Sequence, residues 1–488
     1  MAYEHGINIL ENDTSLTPPA QNTGGVQIVV GTAPVHLADD PFNATNKLVL
    51  ANTFADAKKA LGYSESFGKY TLCESMYASF QFKQVGPVVF INVLDPTTHK
   101  TAVTDQALTL TKGVGVINDE GVLLSKVVLK SSDGTKTYVR NTDYTLSFNA
   151  DGKPVVTILT SGTIPANTTA LKTSYDKVDP SKVTKSDIVG GYDSATGNYK
   201  GAELIQKVYP TLSVIPGLIL APGWSQYPDV YAVLVAKAKK INGCFNAEVI
   251  ADVDSSVATK YENVGTWKND NGYTSEKSMV LWPKVKVGTK ILWYSAAYAA
   301  EIKTMDEETE DVPAKSPSNR VIAISGAVLP DGTEVYLDIT QANYLNGLGI
   351  ITALNWGGWR TWGNNTAAYP TVTDPKDRFI NLRRLMDWWG NSFVVTFFDE
   401  VDSLTDTRLI ENIVDSENIR ANGYVAAGYI AGASIEFRED MNPQTEILNG
   451  SIKFITKIGG FTPAENIVNT LEFDPTFMIG SLFGGGEE

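Results

Sequence analysis

One stretch constrains this chain before any other. Residues 87–94 (PVVFINVL) form a continuous apolar run. A strand with one wet face alternates apolar and polar side chains. An unbroken run of this length is a strand buried on both faces, as in a sheet covered by helices. Its neighbours agree with that reading. Residues 25–34 (GVQIVVGTAP) read as another buried strand ending in a turn, 54–61 as a short helix stopped by Gly62, and 72–83 as a second helix. The same order returns further on. Residues 201–209 are helical, and 214–220 are an apolar strand that ends at Ala221-Pro222-Gly223. Residues 227–241 are helical and 244–251 are a buried strand. This is a βαβ unit with parallel strands and a right-handed crossover. Strand 278–282 and helix 296–305 follow. Residues 25–96 and 186–354 are expected to make one α/β body.

Between these halves the pattern changes. Over 97–185 the helical periodicity vanishes, and 123–130, 137–140, 144–148 and 155–159 alternate. Turns at Asp133-Gly134 and Asp151-Gly152 join them, a strong hairpin signal. An inserted all-β domain is expected here, Thr-rich and polar outside, in an exterior position.

The last third carries Asn355-Trp356-Gly357-Gly358-Trp359-Arg360-Thr361-Trp362-Gly363-Asn364-Asn365-Thr366, three Trp and three Gly in twelve residues. Gly allows close backbone approach and Trp supplies large buried area, so a rigid turn under a packed surface is expected. Asp374-Pro375 then opens a helix that runs to Trp389 and stops at Gly390, with Phe379, Leu382, Met386 and Trp389 on one face. Residues 392–398 read as a strand. Ser403-x-x-Asp406 caps a helix that ends at Asn422-Gly423. Residues 424–438, 451–458 and the alternating 467–473 read as strands. Residues 355–475 are thus expected to form a C-terminal α+β domain.

Both ends read as loose arms. Residues 1–24 have strand character at Ile7, Ile9 and Leu10, then breaks at Pro18-Pro19 and Gly24-Gly25. Residues 476–488 carry Phe477, Ile479 and Leu482 with no local partner. One sheet with two donor strands makes a head-to-tail polymer, in which arms from neighbours add to sheet edges.

At about 150 residues per domain, 488 residues give two to four domains. The charge is 40 − 55 = −15, which argues against nucleic-acid binding. No apolar run is long enough to span a membrane and no signal-peptide pattern follows Met1, so neither membrane insertion nor secretion by signal is expected. Cys73 and Cys244 are expected to be buried small apolar residues. The acidic run 306–311 (DEETED) reads as a solvated loop. No phosphate-binding loop and no G-x-S-x-G elbow is present, and Gly113-Val114-Gly115 lacks the rest of a dinucleotide fingerprint. The three His (His5, His36, His99) fall in expected loops or the arm, with no metal-ligand spacing. No catalytic residue, cofactor or metal is assigned. Packing is preferred over a carbohydrate cleft for Trp356, Trp359 and Trp362.

The G-x-R-x-W-G-x-x-T pattern of GWRTWGNNT (358–366) resembles the tail sheath proteins of contractile-tailed bacteriophages and phage-tail-like bacteriocins. The basic-aromatic segment 378–389 is similar to them too, as are the Tyr-x-His-Gly-Ile opening, the GTAP turn with the strand at 87–94, and the Leu220-Ala221-Pro222-Gly223 turn. The resemblance covers about 1–95 and 190–475 and is weak over the β insertion. It implies a structural protein, not an enzyme: hexameric rings stacked helically around a tail tube, joined to a baseplate and a tail terminator. The rings shorten on a trigger and drive the tube through a cell envelope. It implies a virion tail or an extracellular particle, made in a bacterial cytoplasm and released by lysis. It also implies that the arms complete the sheet of a neighbour, near Ile435, Phe437, Ile452 and Phe454, while residues 355–475 stay near the tube. Lys376, Arg378, Arg383, Arg384, Arg408 and Arg420 stand out in an acidic chain. Two roles are open for them, facing an acidic tube or ordinary salt bridging. The alternatives are an α/β hydrolase-type enzyme with a β binding module, which needs a pocket of convergent acid and base groups, and the sheath of an intracellular or membrane-anchored injection machine.

Overall fold

A computed structural model describes residues 24–483. Its centre is a six-stranded sheet of β1 (Gln27–Gly31), β2 (Leu48–Ala51), β3 (Val88–Asn92), β4 (Leu218–Leu220), β5 (Glu248–Asp252) and β6 (Ser278–Leu281). The order is β6-β5-β4-β1-β3-β2. Five strands are parallel, and β2 is added antiparallel at the edge of β3. The parallel strands are buried along their whole length, which is why their sequences do not alternate. Both expected halves contribute: β1–β3 come from the first and β4–β6 from the second.

The helix α1 (Tyr294–Glu307) lies within this body and is buried on almost every side, Glu301, Lys303 and Asp306 included. A charged side chain is tolerated there only with a partner. Lys83 meets Glu301, Asp311 meets Lys303, and Arg384 meets Asp306. This corrects the reading of 306–311 as a solvated loop in part: Asp306 is fully buried at the end of α1, whereas Glu307, Glu308 and Glu310 are exposed, Glu308 bonding Lys315 and Arg320. Cys73 is buried as expected, whereas Cys244 is exposed in the turn before β5.

The insertion has two antiparallel sheets. Lys100–Thr109, Ala170–Val178, Val128–Lys130 and Thr137–Tyr138 make one; Val114–Val116, Pro154–Ile158 and Tyr144–Phe148 make the other. A separate core of Leu108, Leu129, Tyr144, Val156, Leu171 and Tyr175 holds them together. Gly134 and Gly152 take positive φ at the two turns, as an Asp-Gly hairpin requires. The two long strands, 100–109 and 170–178, pair with each other where the insertion meets the body. The first of them escapes sequence reading, because it buries little besides Leu108 and carries no clean alternation.

The Trp-Gly stretch is a β-hairpin, Thr352–Asn355 against Trp359–Trp362. Instead of opening the C-terminal domain, it packs on the α/β body, whose core takes in Ala353, Ala367, Ile380 and the flank of Trp359. Beyond it, Asp374 caps the short turn Pro375–Arg378, and α2 (Ile380–Phe397) follows. α2 passes through Gly390 without interruption, so the expected stop and the strand at 392–398 are both overturned. Glycine inside a helix costs about 1 kcal/mol. Val394 and Val395 pack on the body and Phe393 on the adjoining core, which outweighs that cost and the β-propensity of the run. α3 (Thr407–Ala426) is capped by Asp406 rather than Ser403 and likewise runs past Asn422-Gly423. The hairpin β7 (Ile430–Phe437) and β8 (Phe454–Gly460) packs on it. Residues 461–474 have no regular structure, and α4 (Pro475–Phe483) is a helix, so the strands expected at 467–473 and 477–483 are not formed.

Candidate subunit interfaces

The hairpin β7–β8 is a two-stranded sheet. A pair of strands is marginal alone, and here its stability comes from α2 and α3: Ile435 and Phe454 pack with Phe397, Leu409 and Ile413. The backbone register decides which edge is open. Ile435 lies opposite Thr456, Ala433 opposite Ile458 and Phe437 opposite Phe454. The Ile435 N–H donates to Asn418 Oδ1 at 3.1 Å, and the Asn418 amide donates to the Ile435 carbonyl at 3.4 Å. Ile435 therefore turns its backbone groups away from β8, and the alternation of an antiparallel ladder makes the pairs above non-hydrogen-bonded. Two consequences follow. The outer edge of β7 is closed at its middle by a side chain of α3. On β8, the N–H and C=O of Phe454, Thr456 and Ile458 face outward, and no described strand pairs with them. An unpaired edge of this kind is a template for another strand.

Ile435, Phe437 and Phe454 thus lie on the hairpin, Ile435 buried and the two Phe rings 5.5 Å apart. Ile452 precedes β8 in irregular chain. Ile7, Ile9 and Leu10 lie outside the described residues. Phe477, Ile479 and Leu482 are exposed on α4, and Ile467, Val468, Leu471 and Phe473 before it are more than three-quarters exposed. Near its start this tail is tied to the body side by Arg378, which bonds both Glu465 and Asn365. No described element covers the apolar side chains that follow.

The six basic residues divide sharply. Lys376 and Arg408 are exposed, and Arg378 is half-buried. Arg383 is mostly buried between Asp377, at 2.7 Å, and Asp387, at 2.8 Å. Arg384 is buried against Asp306, and Arg420 is buried against Glu417 at 2.6 Å and over the Trp389 ring at 4.4 Å. Arg384 and Arg420 are internal and are withdrawn as tube-facing candidates. Sequence periodicity missed this because α2 is buried on nearly every face, so its charged residues are joints rather than a wet face. Arg384, Asp387 and Asn391 dock α2 on the body: Asp387 pairs with Lys277, and Asn391 bonds both the N–H and the C=O of Asn246. Burial drives the Glu248 carboxyl well above its usual range, while hydrogen bonds and the cations Lys277 and Arg383 hold Asp387 low.

A crevice of about 900 Å³ opens at the carboxyl ends of β1 and β4, where strand order reverses. Ligands of open α/β sheets bind at such points. Its walls are Lys69, Lys185, Lys284, Trp224, Trp293 and short hydroxyl side chains. The Ser181 hydroxyl donates to Asp179 in a local turn, and no imidazole lines the crevice. Among the described residues no cluster of His, Cys, Asp and Glu has the arrangement of a metal site, and no helix is long and apolar enough to cross a membrane.

The chain thus combines a mixed α/β body, an inserted β unit, and a C-terminal unit with an open strand edge and an uncovered apolar tail. Known proteins resemble it in sequence and in fold. The chain is 26% identical over 496 residues, 99% of either chain, to the tail sheath protein of Burkholderia phage BcepMu. It is 25% identical over 292 residues, 58% of this chain and 69% of the other, to the tail sheath protein of Escherichia phage P2. In structure it is similar to the sheath of an extracellular contractile injection system in the contracted state, with a TM-score of 0.57, 12% identity and coverage of 98% and 99%. It is also similar to the contracted helical sheath of the anti-feeding prophage, with a TM-score of 0.56, 15% identity and coverage of 97% and 100%. No protein-family model matches the chain. The resemblance to tail sheath proteins therefore holds along the whole sequence, and the fold is similar to that of solved contractile sheaths.

Proposed function

We propose that this chain is the sheath subunit of a contractile tail, polymerising as stacked six-membered rings around a tail tube and shortening to drive that tube through a cell envelope. The observation that carries the proposal is the pairing of an open β8 edge with an uncovered apolar tail on one chain. Each is a half-interface, and a second copy supplies the other half. The N-terminal arm, residues 1–24, is the strand donor to β8. The C-terminal tail does not act as a strand through Phe477, Ile479 and Leu482; a neighbouring subunit covers the apolar side chains of α4 and of 467–473. Residues 25–96 and 186–354 are the rotating body, 97–185 the outer unit, and the C-terminal domain, completed by the arms of neighbours, lies next to the tube. Contraction then needs no nucleotide, because tighter packing between subunits in the shorter state supplies the drive. The tube, baseplate and tail terminator are the other partners, in a particle assembled in a bacterial cytoplasm and freed by lysis.

The test is removal of residues 1–15. Wild-type chain is expected to pellet as polymer, and the truncated chain to stay a monomer with unchanged circular dichroism. Polymer of normal yield from the truncated chain would reject arm exchange.

A further inference from the structure

The root of the N-terminal arm is built into the joint between the body and the C-terminal unit. The Gly24 N–H donates to the Asp311 carbonyl at 3.2 Å. Its own carbonyl accepts from Arg384 Nη2 at 2.9 Å. The same guanidinium grips Asp306 with both terminal nitrogens, Nη1 to Oδ1 at 3.1 Å and Nη2 to Oδ2, so Nη2 is shared between the arm root and α1 and one fork holds the two together. The channel is tight. A Cβ on Gly217 would stand 2.2 Å from the Gly24 oxygen, and one on Gly25 would stand 2.9 Å from Asp306 Oδ2. Past this point the Val26 carbonyl accepts from Gly217 and Leu218, and β1 begins. Arg384 itself is on α2, whose Asp387 and Asn391 are docked on Lys277 and Asn246.

We propose that Arg384 is the positioning residue of the arm: it fixes the direction in which residues 1–23 leave the body, and it ties a pull on that arm to the body–C-terminal joint. A peptide held at its root loses less freedom when its far end pairs with a neighbour, so the clamp favours assembly by preorganisation. It also makes the arm and the joint respond together when subunits move. Removal of the cation alone would strand Asp306, so the pair is removed as a unit.

The assembly readout rests on the sheath reading; the exchange readout does not. Full-length Asp306→Asn/Arg384→Met is compared with wild type by amide hydrogen exchange and by the critical concentration for tube formation. Exchange over residues 24–26 is expected to quicken at least about 10-fold while residues 28–30 keep their protection, and the critical concentration to rise by about 10-fold. Arg384→Lys, which keeps a charge opposite Asp306 but not the fork, is expected to quicken the same exchange and decides the matter if the double variant misfolds. Unchanged exchange at 24–26 in a folded variant overturns the clamp. Absence of tubes from wild type counts against the sheath reading alone, and the exchange result still decides the clamp.

Discussion

Glu74 shows how burial rather than chemistry shapes the titratable groups of this protein. It is 1% exposed, and its carboxylate accepts the Trp293 N–H at 2.7 Å. Burial pushes its carboxyl from 4.5 up to about 8, against the nearby Lys284. The folded protein then holds this proton more tightly than the unfolded chain, so stability falls as pH rises from 4.5 through 8. Glu74→Gln removes that slope. Melts at pH 6 and pH 8 are expected to show the wild type losing about 2 kcal/mol more than the variant. Equal losses would mean that Glu74 is ionised throughout. The basic residues make a second residue-scale prediction. Lys376→Glu with Arg408→Glu, at exposed positions, is expected to leave Tm within about 2 °C and to weaken attachment to a tube. Lys277→Ala removes one of the two cations on the buried Asp387, Arg383 remaining at 2.8 Å, and is expected to cost about 1.5–3 kcal/mol in denaturant unfolding. Tube binding unaffected by the double charge reversal would leave those two residues as ordinary surface.

At the scale of elements, the open edge of β8 gives the sharpest prediction. The Thr456 N–H points away from β7, so Thr456→Pro removes an outward donor without touching the ladder. It is expected to fold with near-native circular dichroism and fail to polymerise. Lys457→Pro removes an inward donor and is expected to unfold the hairpin. If both polymerise alike, β8 is not the receiving edge. Sequence reasoning places this hairpin near Ile435 and Phe454 because Ile452, Phe454, Thr456 and Ile458 alternate. It could not place Asn418, whose bond to Ile435 closes the other edge from 17 residues away. The same limit explains α2. Gly390 and the run Val394-Val395-Thr396 follow local preferences that favour a stop and a strand, and packing against the body decides otherwise.

For the whole molecule, the α/β body was legible because double burial leaves an unbroken apolar signature in β1, β3, β4 and β5, and helices between them fix a parallel order. The joint between body and C-terminal unit was not legible. Arg384, Asp387 and Asp306 are charged, and charge in a sequence reads as surface unless the partner is known. The arms were legible only as segments without a local partner, and the proposed function assigns that partner to another copy. In the proposed function, neighbours finish the unfinished surfaces of this chain. Negative-stain electron microscopy of the purified full-length protein tests that claim most directly. Striated hollow tubes with six-fold end views are the predicted result. Dispersed monomers at every salt concentration, or tubes without six-fold symmetry, would contradict it.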